Sequence, residues 1–221
     1  MMEDMPGGPC VLVTGFEAFG GGEENPTAEI VRMLDGSSVA GHRVHGVELP
    51  VTVAGAPAAL VGAVERHRPA LVLSTGLANG RSMLALERVA INVMDFPMPD
   101  NDGRQPADEP VEKDGPAAYF ATLPIKATLA AWREEGLPGY VSNSAGTYVC
   151  NQTFYHSLHL SEKLGYRAGL IHVPYLPEQA ARVPGGAPSM SLDLMLRAVE
   201  LALEVSLQRS EDIILPAGAI S

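Results

Sequence analysis

Cys10-Val11-Leu12-Val13-Thr14-Gly15 is a short apolar run closed by a glycine, and it reads as a strand buried on both faces. A glycine-rich loop follows, from Phe16 to Pro26. Pro26-Thr27 then opens a helix through about Leu34, because proline suits a first helical turn. The same rhythm repeats along the chain. Residues 42–49 alternate partly and read as a second strand, 57–67 as a helix, and Ala70-Leu71-Val72-Leu73-Ser74-Thr75 as another buried strand ending at Gly76. Val89-Ala90-Ile91-Asn92-Val93 is a further strand, with a start placed near Met83. A helix at 123–135, short strands at 140–142 and 168–173, and a long amphipathic helix at 191–208 complete the pattern. Between them, 95–115 is rich in Pro, Asp, Asn and Gly, and a loop of that length inside a compact domain is usually functional or disordered.

Strands alternate with helices, and several strands are apolar on both faces. The expected class is α/β, a three-layer open twisted mixed sheet with helices on both faces, of phosphorylase or hydrolase type. No composition break or repeat divides the chain, so one domain over 1–221 is expected, with 1–9 as a flexible tail. The apolar stripe Leu192, Met195, Leu196, Val199, Leu203 on the last helix belongs mainly to the core, and its excess of leucine permits a subunit contact.

Hydrophobic residues are 46% of the 221 and charged residues 19%, the balance of a core-forming chain. The net charge of -11 argues against a nucleic-acid binder, which usually shows a basic face, and against attraction to anionic membranes. Cys10 and Cys150 are too few for a disulfide framework. Met1-Met2-Glu3-Asp4 lacks the basic-then-apolar order of a secretion signal, and no apolar run approaches the ~20 residues of a membrane span. A cytoplasmic protein is expected.

Cys150 follows Ser144-Ala145-Gly146-Thr147-Tyr148-Val149 and precedes a helical stretch from Thr153 to Leu160. A thiol near a helix N-terminus meets unpaired N–H groups and the positive end of the dipole, which favour the reactive thiolate. The alternative is a small buried apolar residue, the usual fate of a free cysteine. In open α/β sheets the site lies beyond the carboxyl ends of the strands. Gly15-Phe16, Gly76-Leu77, the stretch before Cys150, and His172 all fall at such ends.

His172 closes the apolar strand Leu170-Ile171, a common place for a core histidine. Beside a thiol it can take the proton and later protonate a leaving amine. The third group of such a set orients the imidazole. Glu87 is the candidate, with an ion pair to Arg88 or another arginine as its equal alternative. Asp95, Asp100 and Asp102 read as solvated or turn-forming. His42 and His45 have no ligand partners at familiar spacing, so no metal is expected. Gly20-Gly21-Gly22 is not followed by the Lys-Ser/Thr of a phosphate loop.

Several blocks together resemble the pyroglutamyl peptidases of type I, a cysteine peptidase family. They are Thr14-Gly15-Phe16-Glu17-Ala18-Phe19-Gly20-Gly21 with Asn25-Pro26-Thr27, then Gly80-Arg81 with Glu87-Arg88-Val89-Ala90-Ile91-Asn92, then Pro99-Asp100-Asn101 and Gly115-Pro116-Ala117-Ala118-Tyr119-Phe120. Ser144 to Asn151, His172-Val173-Pro174-Tyr175 and Pro188-Ser189-Met190-Ser191 follow in the family's order. The resemblance implies Cys150 as nucleophile, His172 as general base then acid, and Glu87 as orienting carboxylate. It implies a cytoplasmic homotetramer without metal or cofactor that removes N-terminal pyroglutamyl residues from peptides, generally not before proline. Pyroglutamate is an uncharged lactam, so its site needs an apolar slot with a few backbone hydrogen bonds. Phe16 and Phe19, on the loop after the first strand, could sandwich the flat ring, with a hydrophobic plug under the loop as the alternative; the resemblance implies the same two positions for the pocket together with Met98, Tyr148 and Val149, and Leu77 joins them as a substrate-binding candidate.

One departure stands out. Many members read Ala-Arg-Ile-Pro-Asp-Asn where this chain has Phe96-Pro97-Met98-Pro99-Asp100-Asn101. With proline in the arginine's place, Arg81 or Arg88 is the candidate replacement, and the oxyanion depends more on backbone N–H groups such as that of Cys150. Two other readings remain at this level: a nucleoside phosphorylase-like enzyme, and a non-catalytic binder of pyroglutamyl peptides.

Overall fold

A computed structural model describes residues 8–218; most of the tail expected at 1–9 lies outside the described residues. In chain order the elements are β1 (Cys10–Phe16), α1 (Pro26–Leu34), β2 (Ser38–Val39), β3 (His42–Leu49), α2 (Gly55–His67), β4 (Leu71–Leu77), β5 (Leu84–Glu87) and β6 (Val89–Ile91). Then come β7 (Ala118–Phe120), α3 (Ile125–Glu134), β8 (Gly139–Ser142), α4 (Val149–Leu164), β9 (Arg167–Val173), α5 (Pro177–Arg182) and α6 (Leu192–Gln208).

Seven strands form one mixed sheet in the order β2-β3-β1-β4-β9-β5-β8. The run β3-β1-β4-β9 is parallel, and β5 lies antiparallel to β9. Helices cover both faces, as expected. Successive residues of one strand point to opposite sides, so each strand serves two cores. Val11 and Val13 join Ile30 of α1, Trp132 of α3 and Val199 of α6. Leu12, between them, joins Leu60 of α2 and Phe154 of α4. This is why the run at 10–15 shows no polar face.

The turn from β1 into α1 sets one wall of the rim. The Asn25 side chain caps α1 by accepting from the Thr27 N–H, and Pro26 occupies its first turn. Thr27 Oγ1 accepts the Phe16 N–H at 2.9 Å. A Cβ on Gly15 would lie 2.3 Å from the Thr27 carbonyl oxygen, so only glycine lets α1 fold back this closely.

The stretch expected as one strand from about 83 to 93 is two. β5 stays in the main sheet, and β6 leaves it to pair with β7. The division falls at Arg88, whose N–H donates to the carbonyl of Ser142 at the end of β8 while its own carbonyl accepts from Ala121 just beyond β7. α2 starts earlier than expected, at Gly55, because Thr52 Oγ1 accepts the Gly55 N–H at 2.9 Å. On α6, Met195, Val199 and Leu203 are buried, and Leu192 and Leu196 pack partly against the core. Among the described residues no helix is long and apolar enough to cross a membrane.

Gly139 opens β8 directly over the Trp132 ring, where an added Cβ would lie 2.4 Å from Cε3. The ring cannot yield, because Nε1 donates to the Ala198 carbonyl at 2.9 Å. Gly139→Ala should therefore lower stability by about 1–3 kcal/mol through overpacking, read as a fall in the urea midpoint at constant slope.

Candidate active site

Cys150 is the second residue of α4, and two neighbours fix the turn that carries it. Asn151 is fully buried. Its Oδ1 accepts the Ile91 N–H at 3.0 Å, and its Nδ2 donates to the carbonyls of Ile91 at 2.9 Å and Val93 at 3.1 Å. Gln152 Nε2 donates to the Val53 carbonyl at 2.8 Å. The side chains of 151 and 152 thus tie the helix start to two separate loops. The N–H groups of Val149, Cys150 and Asn151 belong to the first turn and have no acceptor within the helix.

The thiol faces the sheet at Gly76, near the end of β4. A Cβ there would stand 2.9 Å from Cys150 Sγ, 2.9 Å from His172 Cδ2 and 3.0 Å from His172 Nε2. The bare glycine backbone is what lets sulfur and imidazole share this space. His172 Nδ1 lies 2.7 Å from Glu87 Oε1. Because a carboxylate accepts there, Nδ1 carries the proton, and Nε2, on the Gly76 side with the sulfur, is left free to accept.

Glu87 reaches the histidine from below. Antiparallel pairing sets Ala85 opposite His172 and Glu87 opposite Leu170, so Glu87 is the diagonal same-face neighbour of His172. Its carboxylate is fully buried, and Arg81 Nη1 donates to the same Oε1 at 2.8 Å. Both expected roles for Glu87 coexist: it pairs with an arginine and it holds the imidazole. The arginine is Arg81, not Arg88, which turns away and donates weakly to the Ala217 carbonyl at 3.4 Å. Asp100 is turn-forming as expected but not solvated, being 6% exposed.

The thiol's charge state corrects the reading from position alone. Burial pushes the Cys150 thiol up to about 12, the Glu87 charge adds to the rise, and its own backbone N–H and Arg81 only partly offset them. The residue keeps some exposure, but its sulfur sits against Gly76 and the imidazole, so burial outweighs the helix end. At neutral pH the resting thiol is protonated.

Beside the sulfur lies a slot lined by Phe16, Phe19, Asn25, Val51, Leu77, Tyr148 and Val149. Phe19 and Tyr148 ring centroids are 5.9 Å apart, and Phe96 backs Tyr148 at 4.5 Å. The open volume is about 10 Å³, roughly one water. Met98 stands outside the lining, with its methyl group against Gly20. Asn25 and Val51 were not anticipated as lining residues. Asn25 had a signal as a cap before Pro26; Val51 had none, since a loop valine reads as generic. Among the described residues no group of three or more His, Cys, Asp or Glu is arranged to hold a metal ion.

Residues 10–209 match the profile of a family described as Pyroglutamyl peptidase. The chain belongs to the pyroglutamyl peptidase family. It is 54% identical over 202 residues to the pyrrolidone-carboxylate peptidase of Chromobacterium violaceum, covering 91% of this chain and 94% of that one. The Escherichia fergusonii pyrrolidone-carboxylate peptidase is 49% identical, with 95% and 98% covered. Among solved structures, the pyrrolidone carboxyl peptidase from Thermococcus litoralis superposes with a TM-score of 0.91 at 43% identity, over 94% and 99% of the two chains. A mutant of the P. furiosus enzyme gives 0.89 at 45%, over 90% and 98%. As a pyroglutamyl peptidase the chain is an enzyme, a cysteine-peptidase hydrolase that removes pyroglutamyl residues.

A thiol raised to about 12 is mostly neutral until strongly alkaline pH. Alkylation of the free protein by iodoacetamide should therefore keep accelerating as pH rises through the alkaline range. A plateau reached below pH 8 would show a thiolate already present at rest.

Proposed function

We propose that the chain is an omega-type cysteine exopeptidase that cleaves N-terminal pyroglutamyl residues from peptides through Cys150, His172 and Glu87, by way of an acyl-enzyme. The observation that carries this reading is the buried His172–Glu87 pair, with Cys150 Sγ and His172 Nε2 both flanking the bare backbone of Gly76. The neutral thiol fits a general-base route. As Sγ bonds to the pyroglutamyl carbonyl carbon, His172 Nε2 takes its proton. The oxyanion formed is received by the free N–H groups at the start of α4, that of Cys150 first. Collapse breaks the C–N bond, and His172 returns the proton to the leaving amine. A water, deprotonated by His172, then attacks the thioester and releases pyroglutamate and the thiol.

Glu87 holds the Nδ1–H tautomer and stabilises the imidazolium while it exists. Arg81 donates to that buried carboxylate at 2.8 Å and supplies positive charge beside it. The apolar slot suits an uncharged lactam, which brings no ammonium group to anchor. Exclusion of substrates with proline next in the chain rests on the family resemblance; proline puts a ring carbon where other residues have the hydrogen on the leaving nitrogen. The family resemblance further supports one catalytic domain, a homotetramer, a cytoplasmic site of action, and catalysis without metal or cofactor. The two free thiols suit a reducing compartment.

Release of a chromophore from a pyroglutamyl arylamide tests the reading. Wild type should turn over; Cys150→Ser should lose about 10⁴-fold or more, and Glu87→Gln less, because it orients rather than reacts. Iodoacetamide should abolish the activity. Tight binding of pyroglutamyl peptides without any turnover would instead establish a binder.

A further inference from the structure

Pro99-Asp100-Asn101 contributes nothing to the bond-breaking steps, yet it holds the slot's walls together. Asn101 Nδ2 donates to Glu17 Oε1 at 2.8 Å and to the Ala18 carbonyl at 3.0 Å, and the Asn101 N–H donates to the Val51 carbonyl at 3.0 Å. Glu17 Oε1 also accepts the Val51 N–H at 2.9 Å. The Pro99 carbonyl accepts the Tyr148 hydroxyl at 3.1 Å. Asp100 accepts the Val53 N–H at 2.7 Å and those of Asp102 and Arg104 at 3.0 and 2.8 Å. Val53 in turn is bonded to Gln152 on the helix that carries the thiol.

Three loops therefore meet at one side-chain pair. One bears Phe16 and Phe19, one Val51, and one Phe96 with the support of Tyr148. We propose that Glu17 and Asn101 are positioning residues, a latch that sets the width and register of the lactam slot and thereby the substrate's KM. The proposal rests on the peptidase reading above. With about 10 Å³ open, a five-membered ring enters only if a wall moves. Phe19 is the wall that bears on this: Ala18 before it is held by Asn101, and after it Gly20 and Gly21 turn at φ of 62° and 78°, with the Gly22 N–H donating back to the Phe19 carbonyl at 3.0 Å. The latch fixes the near end of that loop, so it sets where the Phe19 ring stands against Phe16 and Val51. In the two bonds to its side chain Glu17 only accepts, from N–H donors, so an uncharged amide oxygen can do its work.

The test is steady-state kinetics on a pyroglutamyl arylamide for wild type, Glu17→Ala, Glu17→Gln, Asn101→Ala and the double alanine variant, with Tm and the Cys150 alkylation rate measured alongside. Glu17→Ala and Asn101→Ala should each raise KM about tenfold with kcat changed less than about threefold, since each removes the hydrogen bonds of the latch, remote from the reacting atoms. The double variant should be little worse than either single one, as expected of one shared interaction. Glu17→Gln should restore the wild-type KM and pH profile, and the alkylation rate should not fall in any variant. A fall in Tm with KM unmoved, or a Glu17→Gln defect equal to that of Glu17→Ala, overturns the latch while the peptidase stands. A wild type without turnover overturns both.

Discussion

A carboxylate with no exposure to water is costly to place in a fold unless it is paired. Glu87 meets that condition with two donors on one oxygen, the imidazole of His172 and the guanidinium of Arg81. The other oxygen, Oε2, has no partner among the described residues. The group is held in place by its two donors and can relax only toward them. That constraint orients the imidazole ring, and the ring faces the sulfur across Gly76. Removing either donor would leave a buried charge half compensated, so the three side chains depend on one another for stability as well as for chemistry.

Topology delivers this arrangement. A purely parallel sheet would carry every strand end to the same rim. β5 runs the other way, so its last residue lies beneath the rim, one diagonal step under His172. A buried acid, a rim-level base and a helix-borne thiol thus occupy successive levels of one side of the sheet. The reversal also explains the separate β6–β7 pair, because the chain must leave the sheet once β5 ends at its lower edge.

Much of this was legible in the residues. Pro26 after Asn25, and the doubly apolar runs at 10–15 and 70–75, carry strong local signals, and the observed elements match them closely. Cys150 and His172 were legible because they close or open an element. The Glu87–His172 contact was not, since it depends on the direction of β5, and no local residue encodes strand direction. The resemblance supplied the pairing that spacing could not. β7 went unread because three residues held by a single neighbouring strand leave no periodicity. Met98 was placed in the slot, but the loop turns its side chain to Gly20. The thiol's protonation was misread because a helix end is visible in sequence and desolvation by distant segments is not.

The neutral sulfur has a bearing on the protein's durability. Peroxides, like alkylating agents, attack the thiolate and spare the thiol, so a nucleophile kept protonated at rest sits low on the route to sulfenic and sulfinic acids. Many cysteine enzymes hold a standing anion and are correspondingly easy to oxidise. Here the anion would exist only during turnover, with the carbonyl carbon already in its path. Burial that slows the free thiol also shelters it between catalytic cycles.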